Sequence, residues 1–476
     1  MPAHPTDFDH SLFNAAPAQP LRLDPGFRPL ALGIRAFRRE LAAWPKPERL
    51  DIALEQGPGR ITRKDLDLFP AQAGREADNL RCAGWVLNFL LWAQGGGRVL
   101  LAGPAALCEA LRASYGPGGT RAFDAGLMSQ AFGRPFTLER VAELPEATRL
   151  PAALGGHLEG CRIGFDLGAS DYKVAAVRDG EVVFSLELPW NPKVEPDPAY
   201  HYEKIQAGLR MAATHLPRVD AIGGSSAGIL VDNEVRVASL FRAVPPAAFE
   251  AQVRPLFKRL RADWGVPFEV INDGDVTALA GALSLGKHAM LGIAMGSSEA
   301  VGYLDRSGAI TGWLNELAFA PVDANPQAGT DDWSGQPGIG AAYFSQQAVA
   351  RLAGPAGMSF PAGLGLPEQL KAVQARMDAG DPAAAELFDT LGVCLGYTLP
   401  WYAEFYDMEQ AMILGRVTSG PGGERLLAQA RATLAREFPE LAGRIHLFLP
   451  DEQSRRVGQA VAAASLPALR AQEVRK

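Results

Sequence analysis

Three short segments of this chain hold residues whose types and spacing suit phosphate chemistry. The first is Asp166-Leu167-Gly168-Ala169-Ser170, followed three residues on by Lys173 and set between the apolar runs Ile163–Phe165 and Val174–Val177. A glycine in such a turn lets the backbone approach a ligand closely. The turn's N–H groups and the Ser170 hydroxyl can donate to phosphate oxygens, while an acid such as Asp166 can hold a hydrated Mg²⁺. An ordinary hairpin with a polar turn has the same pattern, because short glycine motifs recur by chance. What lies downstream separates the two.

The second segment is Asn272-Asp273, at the end of the apolar run Phe268–Ile271 and just before a helical pattern near Val276. An acid there sits at the carboxyl edge of a sheet, where ligands bind in α/β folds. It can take the proton of a hydroxyl that attacks phosphorus. The competing role is a helix cap, which is assigned to Asp275 and leaves Asp273 for chemistry. The third segment is Gly296-Ser297-Ser298-Glu299, the turn of a strand–turn–strand over 290–304 of the same kind as 161–178. Two such hairpins facing each other across a hinge would grip a triphosphate from both sides. Asn272, Asn315 and Glu316 offer amides and a carboxylate for paired hydrogen bonds to vicinal hydroxyls. Glu316 is flanked by Trp313, Leu314, Leu317 and Phe319, so burial is expected, and a buried acid needs a partner.

The elements that must position these residues follow from periodicity. Strands are expected at 161–167, 173–178, 181–187, 219–223 and 268–271, with helices near 201–215, 246–263 and 276–286. A polar loop covers 306–337, and a mostly helical end is broken by a strand at 411–414 that turns at Gly415-Arg416. Strands alternating with helices predict an α/β fold with parallel or mixed sheets. Upstream, residues 1–25 are Pro- and Ala-rich without periodicity and are expected to form a flexible arm. Residues 26–158 suggest an accessory α/β domain, with a helix at 81–93 stopped by Gly95-Gly96-Gly97, a strand at 98–101 and a helix at 105–115. A linker is expected over 145–156.

A length of 476 residues implies two or three domains. The hydrophobic content of 47% and charged content of 21% are ordinary for a soluble protein. A net charge of −7 argues against a nucleic-acid surface as the main business. Four cysteines, none at C-x-x-C spacing, predict a reduced cytoplasmic chain without a cysteine zinc site. The start has no basic–apolar leader pattern, and the longest apolar stretches, Trp85–Trp92 and Val99–Leu107, fall short of a bilayer span, so no membrane partner is expected.

Over 160–470 the order of these motifs resembles the ROK family (repressor, open reading frame, kinase) of the actin-like ATPase and sugar kinase superfamily. Asp166–Ser170 with Lys173 is similar to its first phosphate loop. Asn272–Leu279 is similar to its Asn-Asp-x-x-x-x-Ala-Leu motif, Ile413–Val417 to its adenosine-contacting strand and turn, and Gly338–Ser345 to the end of its cysteine-rich segment. The resemblance implies a two-lobed ribonuclease-H-like (actin-like ATPase) fold with an additional N-terminal α/β domain. Its lobes would be 159–268 and 269–476, the final helix returning to the first lobe. ATP with Mg²⁺ and a sugar would share the cleft. Asp273 would be the catalytic base and Asp166 would hold Mg²⁺ through water. Gly168, Ala169, Ser170, Lys173, Gly296 and Ser297 would cradle phosphates, Gly415 would lie against the nucleoside, and Asn272, Asn315 and Glu316 would orient the sugar.

Departures from the family pattern narrow the expectation. The glycine-rich second phosphate loop of the family becomes Gly296-Ser297-Ser298-Glu299-Ala300-Val301-Gly302, and an acid beside a triphosphate is repulsive unless it points away or a cation intervenes. Glu-x-Gly-His becomes Glu316-Leu317-Ala318-Phe319. The zinc cysteines align with Asp332, Ser334 and Ile339, and a sugar-contacting Glu aligns with Ala341. No zinc site is therefore expected, and the 322–340 loop needs another anchor, for which Trp333 is the candidate. Gly57–Lys64 is basic and glycine-containing, but Pro70 and an apolar helix follow, unlike a winged helix-turn-helix. The accessory region is expected to cover the cleft, restrict substrates or mediate homodimerisation. The function expected is ATP-dependent phosphorylation of a sugar hydroxyl. The alternative is a non-catalytic sugar- or nucleotide-binding regulator on a degenerate kinase fold.

Overall fold

The computed structural model describes residues 8, 10–57, 59–148, 155–168, 171–450 and 452–469, with the backbone alone for 452–457. The N-terminal region runs α1 (Leu30–Leu41), β1 (Glu48–Gly57), β2 (Arg60–Leu68), α2 (Glu76–Gln94), β3 (Arg98–Ala102), α3 (Ala105–Tyr115), α4 (Ala122–Phe132) and β4 (Thr137–Arg140). Its sheet has the order β2-β1-β3-β4, antiparallel except for β3 beside β4. Arg60–Lys64, in the basic segment at 57–64, thus form the first half of the second strand of a hairpin. Helix α2 buries almost its whole second half, and Gly95, with φ of 78°, ends it in a conformation few other residues adopt.

The expected loose arm is corrected for the residues described. Phe13 is fully buried between Trp85 and Phe37, at ring-centroid distances of 4.6 and 6.0 Å. An aromatic ring buried this way ties its segment down more strongly than Pro and Ala content loosens it.

The next stretch comprises β5 (Cys161–Leu167), β6 (Asp171–Arg178), β7 (Glu181–Pro189), α5 (Pro198–Ala213), β8 (Ala221–Ser226), β9 (Ile229–Val231), β10 (Glu234–Val237), α6 (Leu256–Trp264) and β11 (Phe268–Asn272). They build a five-stranded sheet of order β11-β8-β5-β6-β7. Strands β5, β8 and β11 are parallel, and β5-β6-β7 is an antiparallel meander. The single helix expected over 246–263 is interrupted before Pro255, which has no N–H to continue the ladder.

The remainder comprises α7 (Asp273–Leu285), β12 (Met290–Met295), β13 (Glu299–Leu304), α8 (Gln346–Ala353), α9 (Leu366–Asp378), α10 (Pro382–Tyr402), β14 (Gln410–Leu414), α11 (Pro421–Glu437), β15 (His446–Phe448) and α12 (Glu452–Ala464). The sheet order is β13-β12-β14-β15. The last of these strands, three residues long, has no pattern in the sequence that marks it.

Helix α12 lies against β5, β8 and α7. A Cβ on Gly164 would stand 1.8 Å from the Ala460 carbonyl oxygen, and one on Gly223 would stand 1.7 Å from that of Ala463. Glycine is what allows this helix onto the sheet. The N-terminal region and the β12–β15 sheet share one apolar core, whereas the β5–β11 sheet has a core of its own. Phe89 packs on Trp401, Tyr402 and Phe405, and Trp92 on Phe319.

Candidate active site

A cavity of about 460 Å³ opens at the carboxyl ends of β8 and β11. Asn272, Asp273, Gly296, Ser297, Glu316 and Gly415 are on its walls. A second cavity of about 410 Å³ also includes Gly415 and is lined by Lys173, Thr277, Gly281, Met412 and Arg416. The two form one elongated cleft with Gly415 at the junction. Gly415 has φ of 100°, and a Cβ there would stand 2.5 Å from the Met295 carbonyl oxygen. No larger residue fits between the β14 turn and the end of β12.

Asp166 lies at the cleft end of β5, with Lys173 opposite it in the β5–β6 register. The Ser225 hydroxyl donates to its carboxylate at 2.7 Å. Burial raises the Asp166 pKa, while Ser225 and Lys173 hold it back. Asp273 begins α7 and is pushed up to about 6, first by burial and then by the Asp166 charge. The Asp166 charge is thus near enough to make it harder for Asp273 to ionise. Gly168 closes its turn by donating its N–H to the Asp171 carbonyl at 3.0 Å and accepting from Trp190 Nε1 at 2.9 Å. Ala169 and Ser170, the remaining members of the first loop, lie outside the described residues.

The second loop is a hydrogen-bonded turn. Gly296 donates its N–H to the Ser298 carbonyl at 3.0 Å, and its own carbonyl accepts from Gln346 N at 2.9 Å. Glu299 turns away from this loop into the core, where Tyr402 Oη donates to it at 3.2 Å. Burial pushes its carboxyl up to about 8, so the acid that the sequence sets beside the phosphate loop is carried as a neutral group inside the protein.

The helix cap is not Asp275. Asn272 is the N-cap of α7: its Oδ1 accepts from Gly274 N at 2.7 Å, and its Nδ2 donates to the Gly228 carbonyl at 2.9 Å. Asp275 is buried behind the cleft and accepts from Asn315 Nδ2 at 2.8 Å and Tyr303 N at 3.3 Å. Asn315 is likewise moved from substrate contact to support. It is buried, its Oδ1 accepts from Tyr406 Oη at 3.0 Å, and it is absent from the cavity wall. The next residue, Glu316, does reach the cavity. Burial, with the Asp273 and Asp275 charges behind it, pushes Glu316 up to about 8.

Trp333 is not a packed anchor, being 62% exposed. The loop is held instead by two carboxylates. Asp323 accepts from Arg28 N, Asn325 N and the Tyr343 hydroxyl. Asp331 accepts from Trp333 N, Ser334 N, Ser334 Oγ and Gln347 Nε2. Among the described residues no group of three or more His, Cys, Asp or Glu side chains is arranged to hold a metal. Ser225 and Leu127 are site residues that the sequence does not single out. Ser225 reads as part of a Gly/Ser turn, and its signal is only the parallel register that sets it beside Asp166. Leu127, on α4, has no local signal at all.

No protein-family profile and no curated protein matches the chain. Solved structures do. The chain is similar to a ROK hexokinase from Thermus thermophilus, with 19% identity, a TM-score of 0.52 and coverage of 64% of this chain and 97% of that one. It is similar to a ROK family glucokinase from Streptomyces griseus described in complex with glucose and AMPPNP, with 20% identity, a TM-score of 0.50 and coverage of 65% and 99%. It is also similar to a ROK family transcriptional regulator, a homologue of the E. coli MLC protein, with 18% identity, a TM-score of 0.52 and coverage of 81% and 96%. The sheets are thus those of a mixed α/β protein similar in fold to these structures. In fold the chain is similar to these structures of the ROK family, the family its motifs resemble. No described helix is long and apolar enough to cross a membrane.

Proposed function

We propose that this protein transfers the γ-phosphoryl group of ATP to a hydroxyl of a sugar or sugar derivative. The β5–β11 and β12–β15 sheets act as two lobes of the ribonuclease-H-like kind, and the N-terminal sheet belongs to an additional domain. The observation that carries this is the position of Asp273, held near 6 at the cleft end of a parallel strand, with the Asp166 charge near it. That value lets it take a proton near neutral pH and still be ionised beforehand. The hydroxyl oxygen forms its bond to the γ-phosphorus as Asp273 accepts the proton, and the bridging P–O bond breaks to leave ADP. Such transfer depends on positioning and charge neutralisation more than on covalent help.

Asp166 and Asp273, near enough for the first charge to raise the second, suit a hydrated divalent cation. Mg²⁺ held by Asp166 through water would neutralise phosphate charge. Gly168, Gly296 and Ser297, with Ala169 and Ser170, cradle the phosphates, and Lys173 and Gly415 bound the nucleoside side. Asn272 and Glu316 orient the sugar. Glu316 near 8 is a donor as well as an acceptor at neutral pH. The Streptomyces griseus relative, described with glucose and AMPPNP, supports pairing a sugar with an ATP analogue. The inward turn of Glu299 removes the charge that most favoured a non-catalytic binding protein.

The test is ADP release against a hexose panel, with Asp273→Asn as control. Loss of about 10²- to 10⁴-fold in kcat, the range for a general base, with sugar binding kept, is the expected result. Sugar binding by the parent protein with no turnover would instead leave it a sensor.

A further inference from the structure

We propose that the acceptor site extends beyond the carboxylates into an aromatic subsite at Trp333, which takes a second ring of the substrate, either a glycosidically linked sugar or an aryl aglycone. This rests on the reading of the cleft as a sugar site. Asn272, Asp273 and Glu316 make the polar wall of the cavity, and Leu127, Phe319 and Trp333 make an apolar wall of the same cavity. The Trp333 indole is held edge-on by two phenyl rings, Phe319 at 5.3 Å and 66°, and Phe123 at 6.0 Å and 87°. It nevertheless leaves 62% of its surface open. An apolar plate of this size in water is unfavourable by roughly 25 cal/mol per Å² that a partner would cover. Rings with an apolar body and a polar rim are natural partners for it.

The plate sits on a built loop. Asp331 accepts from Trp333 N at 3.1 Å and from Ser334 N at 2.7 Å. Gln336 is gripped from the N-terminal region, by Arg121 Nη1 donating to its Oε1 at 2.8 Å and by Asp124 accepting from its Nε2 at 2.9 Å. Asp124 is itself fully buried and accepts from Asn88 at 2.8 Å. Helix α4 therefore supplies Leu127 to the wall, sets Phe123 against the indole and clamps the loop that carries it. A ligand with one hydroxyl at Asp273 and its far end at Trp333 spans the cavity, and its second ring replaces the water now on the indole.

The experiment is calorimetric binding of glucose, mannose and N-acetylglucosamine, of maltose and cellobiose, and of phenyl β-D-glucoside, to the parent protein, Trp333→Ala and Trp333→Phe. A two-ring ligand is expected to bind at least tenfold more tightly than its one-ring parent. That ratio should collapse towards one in Trp333→Ala and recover in part in Trp333→Phe, with unchanged melting temperatures showing that the variants fold. Preference for the disaccharides or for the phenyl glucoside separates the two kinds of second ring. Equal affinity for one- and two-ring ligands, or a preference that survives Trp333→Ala, overturns the subsite but leaves the sugar-site reading intact. Failure of every sugar to bind overturns both.

Discussion

The chemistry of the cleft is set by which carboxylates are kept neutral and which are kept charged. Asp273, Asp275, Glu299 and Glu316 are all raised, to about 6, 7, 8 and 8, with burial the first cause in each. Of these four, Asp273 alone both lines the cavity and stays low enough to be ionised at neutral pH, which is why it is the proposed base. Because its pKa lies above the ordinary value of 3.8, the ionised form is lost as pH falls through about 6. The acid limb of kcat/KM is therefore expected near pH 6, well above that of an ordinary aspartate. The Asp166 charge is one source of the elevation, so in Asp166→Asn the limb of the residual activity should move to lower pH. Profiles measured from pH 4.5 to 8 decide it, and a limb that stays or moves upward would show that the two acids do not interact.

At the scale of elements, close approach is what turns separate strands and helices into a cleft. Helix α12 comes closest to the β5–β11 sheet over Gly164 and Gly223, and α7 approaches β13 closely where Gly274 meets Gly302, at which an added Cβ would stand 2.1 Å from the Gly274 carbonyl oxygen. These contacts fix where α7, and with it Asp273, begins relative to Asp166. Gly223→Ala sets a Cβ against a backbone carbonyl, which cannot swing aside as a side chain could. Such overpacking costs about 1–3 kcal/mol or more. The expected outcome is a melting temperature lowered by several degrees and weakened nucleotide binding, read by thermal melts and calorimetry. An unchanged melting temperature would mean that α12 can stand off the sheet. The hairpins and helices on either side of the cleft are legible in the sequence, because period-two runs broken by Gly-rich turns have few other solutions. The split at Pro255 and the short β15 are not, since both depend on what their neighbours demand.

The whole molecule is tied together by the aromatic seam between the N-terminal region and the β12–β15 sheet. Phe89, Trp92, Trp401 and Tyr402 are buried there, and Phe89 packs against three rings, those of Trp401, Tyr402 and Phe405. A chain starting at residue 155 would expose this surface to water. It is expected to be insoluble or aggregated, as judged by size-exclusion chromatography beside the full chain; a monodisperse, sugar-binding fragment would show that the seam is dispensable.

The phosphate-loop and Asn-Asp motifs are local, so Asp166 and Asp273 stand out as candidates by residue type and spacing, and Gly415 by the family resemblance. Which acids stay neutral could not, because burial is a property of the packed core; thus Glu299 turns inward and Asn315 serves Asp275 instead of a ligand. Nor could the wall formed by Leu127 and Trp333, which come from segments far apart in sequence. Spacing along the chain determined the chemical groups available, and only the tertiary structure, by deciding which of them lose water together, determined their roles.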